Sequence, residues 1–183
     1  GRSGATTGAE AFGVTPDIMN VAKQITNGAI PMGAVIATGE IFDTFMHAGG
    51  AQHAIEFPHG YTYSAHPVAC AAGLAALEMM ERENFTAQVN AIAPVFEQKL
   101  HALKGHNHIV DIRNYGLAGA LQLAPRNGDP TIRPRDAHMA LWEAGFYVRY
   151  GGDTLQFGPP FGTTEAELER LFDAVATTLD SLA

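Results

Sequence analysis

Apolar positions along the chain change rhythm twice. Asp17–Ala22 is a short run between Pro16 and a glycine turn, and Ala34–Ala37 is a second one without interruption. Runs of this length, bounded by Gly and Pro, predict buried strands, the first ending near Lys23. For that first run, a helix capped by Thr15 with Pro16 at its first position is the alternative. Residues 1–16 are turn-rich and lack periodicity. Glu40–Met46 fits one or two helical turns, and His47–Gly60 is a long loop of the kind that often carries function. From Pro67 the period becomes helical. One helix starts at Ser64-Ala65-His66-Pro67, runs to about Glu83 and carries Val68, Ala71, Ala72, Ala75, Ala76 and Met79 among small neighbours suited to close packing. A second covers Thr86–Leu103, with Val89, Ile92, Phe96 and Leu100 in register, and Pro94 is a point for a kink.

After Gly105 the pattern alternates. Ile109–Tyr115 and Leu117–Leu123 read as strands paired around Gly116. Asp136–Ala144 is a helix ended by Gly145, and Phe146–Tyr150 and Leu155–Phe157 are strands around a Gly-Gly-Asp turn. The last helix, Glu165–Leu182, is expected to be capped by Thr163, and Leu168, Leu171, Phe172, Val175 and Leu179 line one face. The expected division is residues 1–83 as the tail of an α/β domain and residues 84–183 as a small α+β domain.

Composition narrows the function. Of 183 residues, 46% are hydrophobic and 16% charged, enough to bury a core. The net charge of −8 argues against a nucleic-acid partner, which needs a basic face. No apolar run reaches the roughly 20 residues that span a bilayer, so no membrane role is expected. A single cysteine, Cys70, excludes an intrachain disulfide framework and fits a reducing compartment. The loop-like opening without Met predicts a piece of a longer chain. His47, His53, His59 and His66 fall in one stretch and His101, His106 and His108 in another, without zinc-ligand spacing, so no metal is expected, and GxSxG, GxGxxG and P-loop patterns are absent.

Three residues carry candidate chemistry. Lys23 sits at the carboxyl end of a strand, where α/β folds place ligands, and a desolvated lysine is a nucleophile able to form a Schiff base with a carbonyl; the structural alternative is an amine reaching solvent from a strand end. Thr62 precedes a helix start and suits an anion such as phosphate, or is a turn residue. Arg149, beside Gly151-Gly152, could clamp a carboxylate, or is an edge-strand arginine paired with Asp153.

In order, GRSG, TPDIMNVAKQITNGAIPMGAV, GYTYSAHPVACAAGLAALE and LQFGPPFGTTEAELERLFDAV resemble four motifs of the class-III aminotransferases, pyridoxal-phosphate enzymes of fold type I, and match best the ω-amino acid:pyruvate (β-alanine:pyruvate) subgroup. The resemblance implies an α/β fold: the tail of a large cofactor domain plus the small C-terminal domain. It implies that pyridoxal 5′-phosphate is the cofactor and that Lys23 forms its Schiff base and shuttles a proton. By the same resemblance, Thr62 binds the phosphate of the neighbouring subunit's cofactor, and Arg149 takes the carboxylate of an acid substrate or of pyruvate and swings aside for an uncharged amine. It further implies transamination from an ω-amino acid or primary amine to pyruvate, a homodimer or dimer of dimers, and a cytoplasmic setting. An aminomutase or decarboxylase of the same fold and a non-catalytic dimerisation fragment are the alternatives. The acid that pairs with the pyridinium nitrogen in the family lies upstream of GRSG, so these residues alone are not expected to transaminate. Asn27 and His66 stand where the family commonly has glycine and asparagine.

Overall fold

The computed structural model describes residues 1–48, 51–53 and 59–182. The chain falls into two compact units, one formed by Phe12–Asn84 and the other by Gly1–Ala11 with Phe85–Ala183.

In the first unit, β1 (Ile18–Ala22) pairs antiparallel with β2 (Gly33–Ala37), with Ile18 opposite Ala37 and Ala22 opposite Gly33. The strand reading of residues 17–22 holds, and the helical alternative does not. Their burial does not match the expectation. Ile18, Val35 and Ile36 are each more than half exposed. A two-stranded ribbon has no further strand to cover its faces, and nothing else among the described residues does so. The helix α2 (Gly39–His47) follows; the four-residue helix α1 (Gly8–Ala11), in the stretch read as turns, belongs to the other unit. The loop expected over His47–Gly60 lies in part outside the described residues. The long helix α3 (Pro67–Arg82) begins where its sequence indicates: Pro67 occupies the first turn, and the His66 ring Nδ1 accepts from the Ala69 N–H at 3.3 Å.

The second unit holds the core. Strands β3 (Ile109–Tyr115), β4 (Ala118–Leu123), β5 (Arg149–Gly151) and β6 (Thr154–Phe157) form one antiparallel sheet in the order β3-β4-β6-β5. The helices α4 (Phe85–Ala102), α5 (Ile132–Glu143) and α6 (Glu165–Ser181) pack with it. α4 brings Val89, Phe96 and Leu100, spaced by seven and four; α6 brings Leu168, Phe172, Val175 and Leu179, spaced by four, three and four. The Phe172 ring lies 5.6 Å from both Phe96 and Phe157. Each fully buried Leu or Phe here contributes about 1.5–3 kcal/mol.

Among the boundaries that differ from expectation, three have a clear physical cause. α5 begins at Ile132, four residues early, because a proline at the third helical position is compatible with a first turn that needs no internal N–H donor. β5 begins at Arg149 rather than Phe146, since β6 offers partners only to Arg149–Gly151. The cap of α6 is Thr164, not Thr163: its Oγ1 accepts from the Glu167 N–H, and Glu167 Oε2 accepts from the Thr164 N–H at 2.8 Å, a complete capping box.

The first four residues belong to this unit through specific contacts. The Arg2 carbonyl accepts from the Leu117 N–H at 2.9 Å, and the Gly4 carbonyl accepts from Asn90 Nδ2 at 2.9 Å. Gly116 is required at the hairpin turn. Its φ is +55°, and a Cβ there would lie 2.4 Å from the Arg2 carbonyl oxygen. No helix among the described residues is long and apolar enough to cross a membrane.

Candidate active site

Lys23 opens a one-turn 3₁₀ helix, Lys23–Thr26, directly after β1. Its φ is +59°, in the left-handed region that non-glycine residues adopt at a cost and that concentrates at functional sites. The turn around it is tightly determined. Asn27 is also left-handed (φ +49°); its N–H donates to the Gln24 carbonyl, and the Gly28 N–H donates to the Lys23 carbonyl at 3.1 Å. That pair of bonds is a Schellman closure, a position that takes glycine or asparagine, which accounts for Asn27 where the family commonly has glycine. Thr26, 2% exposed, donates its hydroxyl to the Ile30 carbonyl at 2.8 Å.

This turn sits on α3. The buried residues of that helix are Ala69, Gly73 and Ala76, small side chains at helical spacing. A Cβ on Gly73 would lie 3.4 Å from the Ile25 carbonyl oxygen and 3.5 Å from Met32 Sδ, so helix and turn meet nearly backbone to backbone. The Lys23 side chain itself is exposed, and its amine makes no hydrogen bond or ion pair among the described residues. The desolvation expected from the sequence is therefore not supplied by these residues, for the same reason that the strand pair is uncovered. Of the three lysines, Lys99 pairs with Glu169 at 3.6 Å and Lys104 lies in an exposed turn beyond α4.

Thr62 lies in the same unit, in a turn five residues before the start of α3. The turn is held by the Ser64 N–H donating to the Tyr61 carbonyl at 2.9 Å and the Tyr61 N–H donating to Ser64 Oγ at 3.0 Å. The Thr62 hydroxyl is exposed and has no partner among the described residues. A cavity of about 440 Å³, a volume common for small-molecule pockets, lies between Ile30–Gly33 and the 61–70 segment. It brings the end of the Lys23 loop and the Thr62 turn to one opening, although neither Lys23 nor Thr62 lines it.

Arg149 is in the other unit, at the start of the edge strand β5, opposite Gln156. It is exposed and forms no ion pair among the described residues. The expected alternative, a pair with Asp153, is not made. Asp153 instead accepts from Thr154 Oγ1 and Gln122 Nε2, both at 2.7 Å, and these bonds hold its carboxyl below the usual range. Asp153 thus closes the β5–β6 turn and leaves the guanidinium free. One neighbour had no sequence signal: His138 on α5, whose ring meets the Arg149 strand through a backbone carbonyl. No group of three or more metal-ligating side chains exists among the described residues.

The family profile "Aminotransferase class-III" matches residues 1–179. The chain is 64% identical, over all 183 residues, to the beta-alanine–pyruvate aminotransferase of Pseudomonas aeruginosa, of which it covers 41%. It is 62% identical to the omega-amino acid–pyruvate aminotransferase of Pseudomonas putida, covering 40%. Among solved structures, the PMP-bound aminotransferase from Vibrio fluvialis superposes with a TM-score of 0.90 at 32% identity, over 98% of this chain and 41% of that one. A PLP-bound amine transaminase from an uncultivated Pseudomonas species gives 0.89 at 34% identity, covering 98% and 41%. The chain spans about two fifths of the length of the curated relatives it matches. Ordered motifs, a shared fold and a profile match along nearly the whole length place this chain in the class-III aminotransferase family.

Proposed function

We propose that the chain is the C-terminal part of a pyridoxal-phosphate-dependent ω-amino acid:pyruvate aminotransferase. The observation that carries this reading is Lys23: a free amine at a strand end, on a left-handed backbone position locked by a Schellman closure and a close helix contact. Strained backbone positions cluster at functional sites, and a nucleophilic lysine must keep its amine clear of a permanent partner. The unpartnered amine of Lys23 fits a cofactor's carbonyl, and the hydroxyl of Thr62 fits the phosphate of the cofactor bound by the neighbouring protomer.

Pyridoxal phosphate, when bound, supplies a carbonyl carbon to carry the amino group and a ring to delocalise charge from the substrate carbon. Lys23 Nζ would be the nucleophile that holds this carbon and, once released, the base that takes a proton from the substrate carbon and returns it two atoms along, across the nitrogen. Thr62 Oγ1 donates to the phosphate bound by the neighbouring protomer, in a homodimer or dimer of dimers. Arg149 binds the carboxylate of pyruvate or of an acid donor through its two parallel N–H groups and moves aside for an uncharged amine. The acid that sets the ring nitrogen belongs to the N-terminal remainder. So does the cover over Ile18, Val35 and Ile36. The setting is cytoplasmic.

Borohydride reduction of the full-length protein with its cofactor, followed by peptide mass mapping, tests the assignment. The cofactor mass should appear on the peptide containing Lys23 and disappear in Lys23→Ala, together with pyruvate-dependent turnover of β-alanine. A tag on any other lysine overturns the reading. Turnover without pyruvate would point to an aminomutase or decarboxylase instead.

A further inference from the structure

We propose that His138 is a positioning residue for Arg149 and thereby tunes recognition of carboxylate-bearing substrates. The inference rests on the carboxylate role of Arg149 given above. His138 lies in the middle of α5, half-buried, with ring Nδ1 2.7 Å from the Val148 carbonyl oxygen. A carbonyl only accepts, so Nδ1 carries the proton. Val148 is 3% exposed and is the last residue before β5. The same imidazole lies 5.8 Å from the Tyr147 ring, edge-on at 82°, and 5.1 Å from the Tyr150 ring. One side chain therefore meets the two residues before Arg149 and the one after it.

The need for such a tether follows from the topology. β5 is three residues long and pairs only with β6, so among the described residues no strand on its other edge fixes the backbone at Arg149. A guanidinium that must reach a carboxylate, then withdraw for a neutral substrate, has to pivot about its own torsions while its Cα stays still. Asp153 secures the strand on its C-terminal side through Gln122 and Thr154. His138 secures it on the N-terminal side. Removing its donor leaves a buried carbonyl unpaired and gives the strand freedom where Arg149 begins.

The test uses the full-length protein with its cofactor. His138→Phe keeps a ring between the two tyrosines and removes the donor; His138→Asn restores an N–H at the same distance along the side chain. His138→Phe should raise KM for pyruvate about three- to tenfold, the worth of one hydrogen bond. It should leave KM for a carboxylate-free primary amine donor within about twofold, since that substrate makes no carboxylate bond for Arg149 to supply. His138→Asn should recover most of the loss. The double variant with Arg149→Ala should be no worse for pyruvate than Arg149→Ala alone. Equal losses for both substrate classes, or an additive double variant, overturn the positioning role. If Arg149→Ala itself leaves KM for pyruvate unchanged, the Arg149 assignment fails, which is a separate outcome. A nitrogen-15 spectrum of the histidines, independent of turnover, should show His138 protonated at Nδ1; a ring protonated only at Nε2 contradicts the geometry.

Discussion

Gly73 gives the sharpest test of how Lys23 is held. The helix α3 presents a glycine where it meets the Lys23–Thr26 turn, and glycine in a helix interior is unfavourable by about 0.5–1 kcal/mol relative to alanine. A Cβ at this position would stand 3.4 Å from the Ile25 carbonyl oxygen and 3.5 Å from Met32 Sδ, which is ordinary contact. Gly73→Ala should therefore be neutral or stabilising by up to about 1 kcal/mol. Valine places two further carbons about 1.5 Å beyond Cβ, in the one side-chain rotamer a helix strongly prefers. There is no room for both without moving the turn, and such overpacking is destabilising by about 1–3 kcal/mol. The two variants should then differ by about 1–4 kcal/mol in urea unfolding of the full-length protein, with reductive tagging of Lys23 impaired only in the valine variant. If Gly73→Val matches Gly73→Ala in stability and tagging, α3 does not seat the turn and the mount proposed for Lys23 is wrong.

Two further outcomes follow from local geometry. Asn27→Gly should be close to neutral, whereas Asn27→Val should lower stability by about 1–2 kcal/mol, because a β-branched residue resists a φ of +49°; equal thermal midpoints for the two would contradict the Schellman assignment. Glu167 accepts from the Thr164 backbone N–H and from its hydroxyl, the backbone bond counting most, and these bonds hold its pKa below the ordinary 4.5. A carboxyl lowered on folding contributes stability that is fully present above the unfolded value and is lost as pH falls through the folded one. The stability gap between the parent and Glu167→Ala should therefore be constant near neutral pH and shrink below about 4.5, as read from urea midpoints; a gap independent of pH would refute the capping box.

Element types were legible because the periods differ: three and four along α4 and α6, two along β3 and β4. Position within an element was less so. Thr163 and Thr164 are chemically alike, and only the partner three residues on separates them: Ala166 for the first, Glu167 for the second. The start of β5 depends on how many partners β6 offers, a fact no local window contains. The start of α5 is masked by Arg133 and Arg135, which blur the apolar stripe. Burial of β1 and β2 was misjudged for a different reason. Continuous apolar strands imply cover on both faces, and the described residues form only a two-stranded ribbon. At the site, residue identities were readable and conformations were not. Nothing in the letters around Lys23 announces a left-handed φ, and His138 reaches the Arg149 strand through a carbonyl, which every residue has.

The two side chains proposed to carry the chemistry share a physical arrangement, each within its own unit. Around Lys23 the backbone is fixed by a Schellman closure, a buried threonine bond and a close helix contact, while the amine has no partner among the described residues. Around Arg149 the backbone is fixed by the β6 ladder, by Asp153 through Gln122 and Thr154, and by the His138 bond to Val148, while the guanidinium forms no ion pair there. Reactive groups of this kind must change partners during a cycle, so a permanent partner would compete with substrate. Their backbones must not move, because a displacement of about 1 Å can lower a rate a hundredfold. A structural lysine or arginine shows the opposite pattern, as Lys99 does with Glu169 and Arg126 with Asp136, where the charge is paired and no left-handed backbone is needed. Lys99 is paired and Lys104 lies on an ordinary backbone, so of the three lysines Lys23 alone joins a left-handed backbone to an amine without a partner among the described residues.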